Sequence, residues 1–323
     1  MKKILLSAML LLGSLAAGAD AGSPLTFDTS RSDIPLIEAG DKAPDGELEA
    51  RGGLPVTASL ISKSSPVTVA FLGGSNTDSG FCYRLQLARY LENRYNGVKF
   101  TWINAGVSGT GADLGVFRVD EQVLSANPDL VFIEFSGKDA YLPALEGIVR
   151  KIRKSSHKAD ICILDGSKEG DGSLAKLAGH YAVPSVRMAC EAVALESEGR
   201  LVWKGARNDS SGKTVFSTDG LHPTKAGGNL YAAAVARSFD RMVSETGKDV
   251  GLPSAMYGAE WDDARMYNPA EVCRRHGLWK EVDASKDSRM KKFASHFPTV
   301  LASGHPNSTL SFAFEGDMFG LSD

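Results

Sequence analysis

Val67-Thr68-Val69-Ala70-Phe71-Leu72-Gly73-Gly74-Ser75-Asn76-Thr77 is the stretch on which the fold of this chain turns. Val67 to Leu72 is a short, nearly continuous apolar run rich in β-branched and aromatic side chains. Such a run marks a strand buried on both faces, as in parallel sheets. Small residues then end the run in a tight turn, and apolar residues at helical spacing follow from Tyr83 to Tyr95.

The same alternation repeats further along. Val98 to Ile103 reads as a second strand, and Leu114 to Leu124 as a helix. Leu130 to Phe135 is a third, almost wholly apolar strand, and Ile148 to Arg153 lies in another helix. Ile161 to Leu164 is a fourth strand, Pro184 to Met188 a candidate fifth, and Thr224 to Val243 a final helix with Ala-rich faces. Strands of this kind separated by helices predict an α/β domain with a central parallel sheet and right-handed crossovers. In such sheets ligands bind beyond the carboxyl ends of the strands.

The flanks differ. Lys2-Lys3, an apolar run from Ile4 to Leu15 and Ala19-Asp20-Ala21 predict a secretory signal peptide over residues 1–21, and therefore export to the periplasm or the extracellular space. No later segment is apolar over the length a membrane span needs. Residues 22–60 form a lead-in rich in Pro, Gly and Asp, with a turn at Arg51-Gly52-Gly53-Leu54-Pro55. Residues 61–245 hold the α/β pattern. Residues 246–323 are rich in turns and scattered charge, and Thr309 to Phe314 alternates as a half-buried strand does. This predicts a small β-rich region, with Trp261 and Trp279 as its anchors. Its strand either joins the lead-in or belongs to an incomplete β-sandwich.

Over 323 residues, 43% hydrophobic and 23% charged composition supports a sizeable core, and a net charge of −3 excludes the basic field of a nucleic-acid binder. Cys82, Cys162, Cys190 and Cys273 lack metal-site spacing and read as free thiols, so neither a metal nor another cofactor is expected.

Four strand-end or loop motifs remain, each with two readings. Gly73-Gly74-Ser75 either presents a hydroxyl on a strand-to-helix turn or simply caps a helix. Asn104-Ala105-Gly106-Val107-Ser108-Gly109-Thr110-Gly111 either brings backbone N–H groups to a ligand or needs glycine for its turn. Ser136-Gly137-Lys138-Asp139 either carries polar groups to the site or closes a strand. Asp219-Gly220-Leu221-His222 either orients an imidazole as a base or forms a turn and helix start. Glu134, inside the third strand, is expected to be paired, because unpaired burial is costly. Asp78 and Asp113, beside the first two loops, read as helix-start residues or as walls of the pocket.

Taken together and in this order, the four motifs resemble the blocks of the SGNH (GDSL-like) hydrolase family over about residues 51–245. The GGSNT form, with RGGLP upstream and NAGVSGTGADLG downstream, looks like an exported subgroup of esterases in which a C-terminal β-sandwich often follows; FAFEGDMFGL looks like its opening. The resemblance implies a flavodoxin-like three-layer α/β/α sandwich and a Ser75–His222–Asp219 triad. It also implies an oxyanion hole at the N–H groups of Ser75 and Gly109 and at position 138, with Asn76 and Asp139 against the substrate. An acylated carbohydrate or small ester is the implied substrate. The family has Asn where this chain has Lys138, and loss of one oxyanion donor costs about 10²–10³ in rate. Three readings stay open: an O-acetylesterase, a degenerate glycan-binding relative, and an O-acyltransferase. Oligomeric state is not legible in the sequence.

Overall fold

The computed structural model describes residues 25–40, 43–207, 212–245, 247 and 251–316. The expected signal peptide lies outside these residues, as does the end of the FAFEGDMFGL segment. Contacts divide the chain into two units, one of Leu25–Met266 and one whose described part runs from Tyr267 to Gly316.

The first unit holds strands β1 (Thr26–Phe27), β2 (Leu48–Glu49), β3 (Val67–Gly73), β4 (Phe100–Gly106), β5 (Leu130–Glu134), β6 (Asp160–Asp165) and β7 (Ser185–Arg187). They form one sheet in the order β1-β4-β3-β5-β6-β7-β2. The five central strands are parallel, as their apolar runs predict. Both edges come from the lead-in and are antiparallel. Two-residue strands carry no hydrophobic period, so nothing in residues 22–60 signalled them.

Helices α1 (Pro55–Ser62), α2 (Ser75–Asp78), α3 (Arg84–Arg94), α4 (Ala112–Gln122), α5 (Leu142–Lys154), α6 (Ser173–His180), α7 (Cys190–Ser197) and α8 (Lys225–Ser244) complete this α/β/α fold. Alternate residues of β3 and β5 point to opposite layers. Val69, Phe71, Leu130 and Phe132 meet α3 and α8 on one face. Ala70, Leu72, Val131 and Ile133 meet α4 and α5 on the other. Phe71 and Phe132 stack at 5.3 Å between adjacent strands. Cys82 and Cys162 are buried and all four cysteines are free thiols.

A parallel strand pair, β8 (Leu201–Lys204) and β9 (Thr214–Ser217), sits apart from the main sheet. Sequence patterning did not reveal it. Its end delivers the chain into the 219–223 loop. Thr224 caps α8, its side chain accepting from the Gly227 N–H at 3.2 Å.

Trp261 anchors the first unit, not the β-rich region expected for it. It packs edge-on to Phe117 at 5.9 Å and Tyr141 at 5.7 Å. Beside it, buried Asp262 accepts from Arg150 and Lys154 at 2.9 and 2.6 Å. The second unit contains α9 (Pro269–Val272) and strands β10 (Arg274–His276), β11 (Lys280–Asp283), β12 (Thr299–Ala302) and β13 (Thr309–Ser311). β13 pairs with β10 inside this unit, and not with the lead-in; β11 pairs with β12. The Trp279 indole donates to the Thr309 carbonyl at 3.1 Å.

Close approach by α8 sets the position of the 219–223 loop. A Cβ on Gly228 would stand 1.9 Å from the Phe81 carbonyl oxygen, and one on Gly227 would stand 2.5 Å from that of Phe216. Backbone atoms cannot yield as a flexible side chain does. Gly228→Ala is therefore expected to lower unfolding free energy by about 1–3 kcal/mol, read from urea denaturation; an unchanged midpoint would show that α8 does not need this contact.

Candidate active site

Three strand ends meet because β3 pairs in parallel on both sides. Gly73 lies opposite Gly106 of β4 and opposite Glu134 of β5. Helix α2 then folds back over the sheet. A Cβ on Gly73 would stand 2.1 Å from Thr77 Oγ1, and one on Gly106 would stand 2.4 Å from the Asp78 backbone nitrogen. The second motif reaches the first and the third in turn. A Cβ on Gly74 would meet the Thr110 carbonyl oxygen at 2.9 Å, and one on Gly111 would meet that of Asp139 at 3.0 Å. Asp78, one of the two acids beside the loops, accepts from the Ser108 hydroxyl at 2.6 Å.

The fourth motif arrives from β9. Ser75 Oγ stands 2.9 Å from His222 Nε2, and His222 Nδ1 stands 2.6 Å from Asp219 Oδ2. The second oxygen of Asp219 accepts from the Leu221 and His222 N–H groups, each at 2.8 Å, and from the Ser217 hydroxyl at 2.9 Å. Ser217 Oγ in turn accepts from the Gly220 N–H at 2.8 Å. The His222 ring, then the N–H groups, hold the Asp219 carboxyl well below the usual carboxylate range. It stays ionised and faces Nδ1, which makes Nδ1 the protonated nitrogen and leaves the Nε2 lone pair on the serine. The His222 and Asp219 side chains are about half exposed, at 49% and 50%. A hydroxyl, a base and an orienting carboxylate in one line can deprotonate the hydroxyl as it attacks an electrophile.

The Ser75 and Gly109 N–H groups have no partner in the backbone among the described residues. The Ser75 N–H opens α2 and has no acceptor within the helix. Gly109 is exposed at φ +81°, and its N–H finds no backbone acceptor among the described residues.

A cleft at the serine is lined by Gly74, Ser75, Asn76, Glu134, Phe135, Ser136 and Asp139. Asn76 and Asp139 thus reach it. Lys138 is exposed on the short 3₁₀ turn Gly137–Asp139, outside that lining. It forms no ion pair with Asp139 or any other described residue. Among the described residues no group of three His, Cys, Asp or Glu side chains is gathered as a metal ion requires.

Glu134, at the end of β5, has partners as expected, and they are neutral groups. Only 3% exposed, it accepts from Thr77 Oγ1 at 3.1 Å and from Ser136 Oγ at 2.9 Å. Its partners are hydroxyls, not a cation. Sequence reasoning singled out the acid but could not find these partners, since Thr77 comes from another strand end. Ser217, the support of Asp219, was missed altogether; its signal was only a Ser two residues before the Asp.

Burial pushes the Glu134 carboxyl up to about 7 from 4.5, opposed by Ser136, Thr77 and the nearby Asn76 amide and aided slightly by Asp139. Tyr83, Tyr231 and Cys82, which feel its charge, are also pushed up by burial. A raised acid holds its proton more tightly in the folded chain. Its contribution to stability is therefore full below about 4.5 and is lost as pH rises through about 7. The thermal midpoint of wild type relative to Glu134→Gln is expected to fall across that window. A difference independent of pH would contradict the raised value.

No protein-family model matches this sequence, and no curated protein matches it. Its fold is found in solved structures. One is a two-domain esterase, CEX, active on acetylated mannans and co-crystallised with mannopentaose; it is 24% identical with a TM-score of 0.62, over 79% of this chain and 69% of that one. A second structure of a two-domain esterase (CEX) active on acetylated mannans is 25% identical with a TM-score of 0.61, over 75% of this chain and 68% of that one. The chain therefore shares the three-layer α/β/α fold of these esterases.

Proposed function

We propose that this chain is an exported serine esterase that removes O-acetyl groups from carbohydrate. The observation that carries the proposal is the unbroken line from Ser75 Oγ through the His222 ring to Asp219. Ser75 Oγ attacks the ester carbonyl while His222 Nε2 takes its proton. The tetrahedral oxyanion faces the Ser75 and Gly109 N–H groups. His222 then returns the proton to the departing sugar hydroxyl, leaving an acetyl group on Ser75. Water, deprotonated by the same nitrogen, releases acetate and restores the enzyme. Asp219 stays ionised and supports the imidazolium throughout.

Two observations support a carbohydrate ester over a small buried one. The His222 side chain is half exposed, so a bulky substrate can reach it. The fold neighbour of 25% identity is an esterase active on acetylated mannans. Export, to the periplasm or beyond the cell, rests on the signal-like residues 1–21.

The purified chain is expected to hydrolyse 4-nitrophenyl acetate and to release acetate from acetylated mannan, with Ser75→Ala at background on both. Hydrolysis by wild type no faster than by Ser75→Ala would defeat the proposal. Saturable mannan binding without turnover would then favour the glycan-binding alternative. Acetyl transfer to an added sugar exceeding transfer to water would favour the acyltransferase.

Lys138 stands where the resembled family places an oxyanion donor, yet it is exposed and makes no ion pair among the described residues. Lys138→Asn is therefore expected to raise kcat by up to about 10²-fold, the scale of one oxyanion donor. An unchanged or lower kcat would mean that the lysine already donates, or that position 138 plays no part.

A further inference from the structure

The third strand ends in a buried acid that the proposed chemistry does not consume. We infer that Glu134 is a positioning residue: its carboxylate ties the turn that carries Ser75 to the turn that carries Lys138 and Asp139. The inference rests on reading Ser75 as the nucleophile.

Ser75 is followed at once by Asn76 and Thr77, and the Thr77 hydroxyl donates to Glu134 at 3.1 Å. Ser136, which also donates to Glu134, directly precedes the Gly137–Asp139 turn. The Glu134 carbonyl accepts from the Gly74 N–H at 3.4 Å, so backbone and side chain of one residue grip the same turn. The carboxylate therefore joins the two sides of the cleft from below.

Polarity makes this tie directional. Above about pH 7, where it is ionised, the carboxylate only accepts, so each neighbour must turn a donor inward. The Thr77 proton is spent on Glu134, so Tyr83, 2.8 Å from Thr77 Oγ1, must donate to Thr77. On the other side Ser136 Oγ donates to Glu134 and accepts from the Gly166 N–H at 2.8 Å. Two relays, one from Tyr83 and one from Gly166, end on one carboxylate with every proton direction specified. A Gln at this position presents one NH₂ face, which opposes one of the donors and leaves the relay free to reverse.

Cost argues in the same direction. An anion this deep without a cation is expensive. No ion pair among the described residues involves Glu134, and Asp139 adds like charge nearby. Apolar packing at the end of an otherwise apolar strand would hold the sheet without that cost. The acid sits where two loops of the proposed site can be reached together.

The test compares wild type, Glu134→Gln, Glu134→Asp and Ser75→Ala by steady-state hydrolysis of 4-nitrophenyl acetate and by labelling with a fluorophosphonate. Labelling separates the number of competent serines from their reactivity. Glu134→Gln is expected to label to the same final extent as wild type but about 10²-fold more slowly, with kcat reduced alike and KM within about threefold. Glu134→Asp keeps the charge and is expected to fall between the two. A role confined to stability would lower the extent of labelling and leave its rate constant unchanged, and that result would overturn the inference. So would a Glu134→Gln rate within about threefold of wild type. If Glu134→Gln does not fold, a Glu134→Asp protein that labels fully but slowly supports the inference, and one that labels at the wild-type rate overturns it. If neither variant folds, the acid serves the fold and the inference fails. Wild type that neither hydrolyses nor labels above Ser75→Ala would instead fell the esterase reading, and the positioning role with it.

Discussion

Gly73 faces Gly106 on one side and Glu134 on the other, and this register is the constraint on which the site depends. Parallel pairing puts the carboxyl ends of β4, β3 and β5 side by side. Three turns remote in sequence therefore become neighbours without any contact between their side chains being needed first. The glycines are part of the same constraint. With no Cβ at 73 or 106, α2 can fold back until Thr77 and Asp78 lie against the sheet. A larger residue at either place would lift α2, and Ser75 at its first position would leave the reach of His222.

The fourth segment is built differently. Ser217, Asp219, Gly220, Leu221 and His222 hydrogen-bond one another within a few residues, so the imidazole is oriented by local chemistry. What this loop needs from the rest of the fold is placement. β9 feeds it and α8 receives it, and the tight seat of Gly227 and Gly228 fixes α8 against Phe216 and the Phe81 backbone. Orientation is thus short-range and docking long-range. The second can vary in strength without disturbing the first.

Beneath the cleft the two kinds of order meet at Glu134. A carboxylate held by two hydroxyls, with no ion pair among the described residues, stores its polarity in the direction of those hydroxyls. Above it, Asp219 is half exposed, ionised and closely held. Two acids a short way apart in the fold are pushed in opposite directions by burial and by hydrogen bonding. Lys138, between them in sequence, belongs to neither network.

The central sheet was legible because apolar runs such as Val67–Leu72 and Leu130–Phe135 state burial on both faces, and burial is a property of each strand alone. The Asp219–His222 pairing was legible because its spacing is local. The edge strands Thr26–Phe27 and Leu48–Glu49 were not, since two residues hold no period and their partners lie far along the chain. Trp261 read as an anchor and is one, but its patch on α4 and α5 is a matter of packing. Glu134 read as a buried acid in need of a partner. Which partner it has depends on Thr77 and Ser136 arriving from different strand ends. Sequence alone determined the layers, the strand ends and the chemical groups they carry, because these follow from local pattern. The tertiary structure decided which of those groups touch, because contact between distant segments is set by register and close packing, and neither is written in any one stretch of chain.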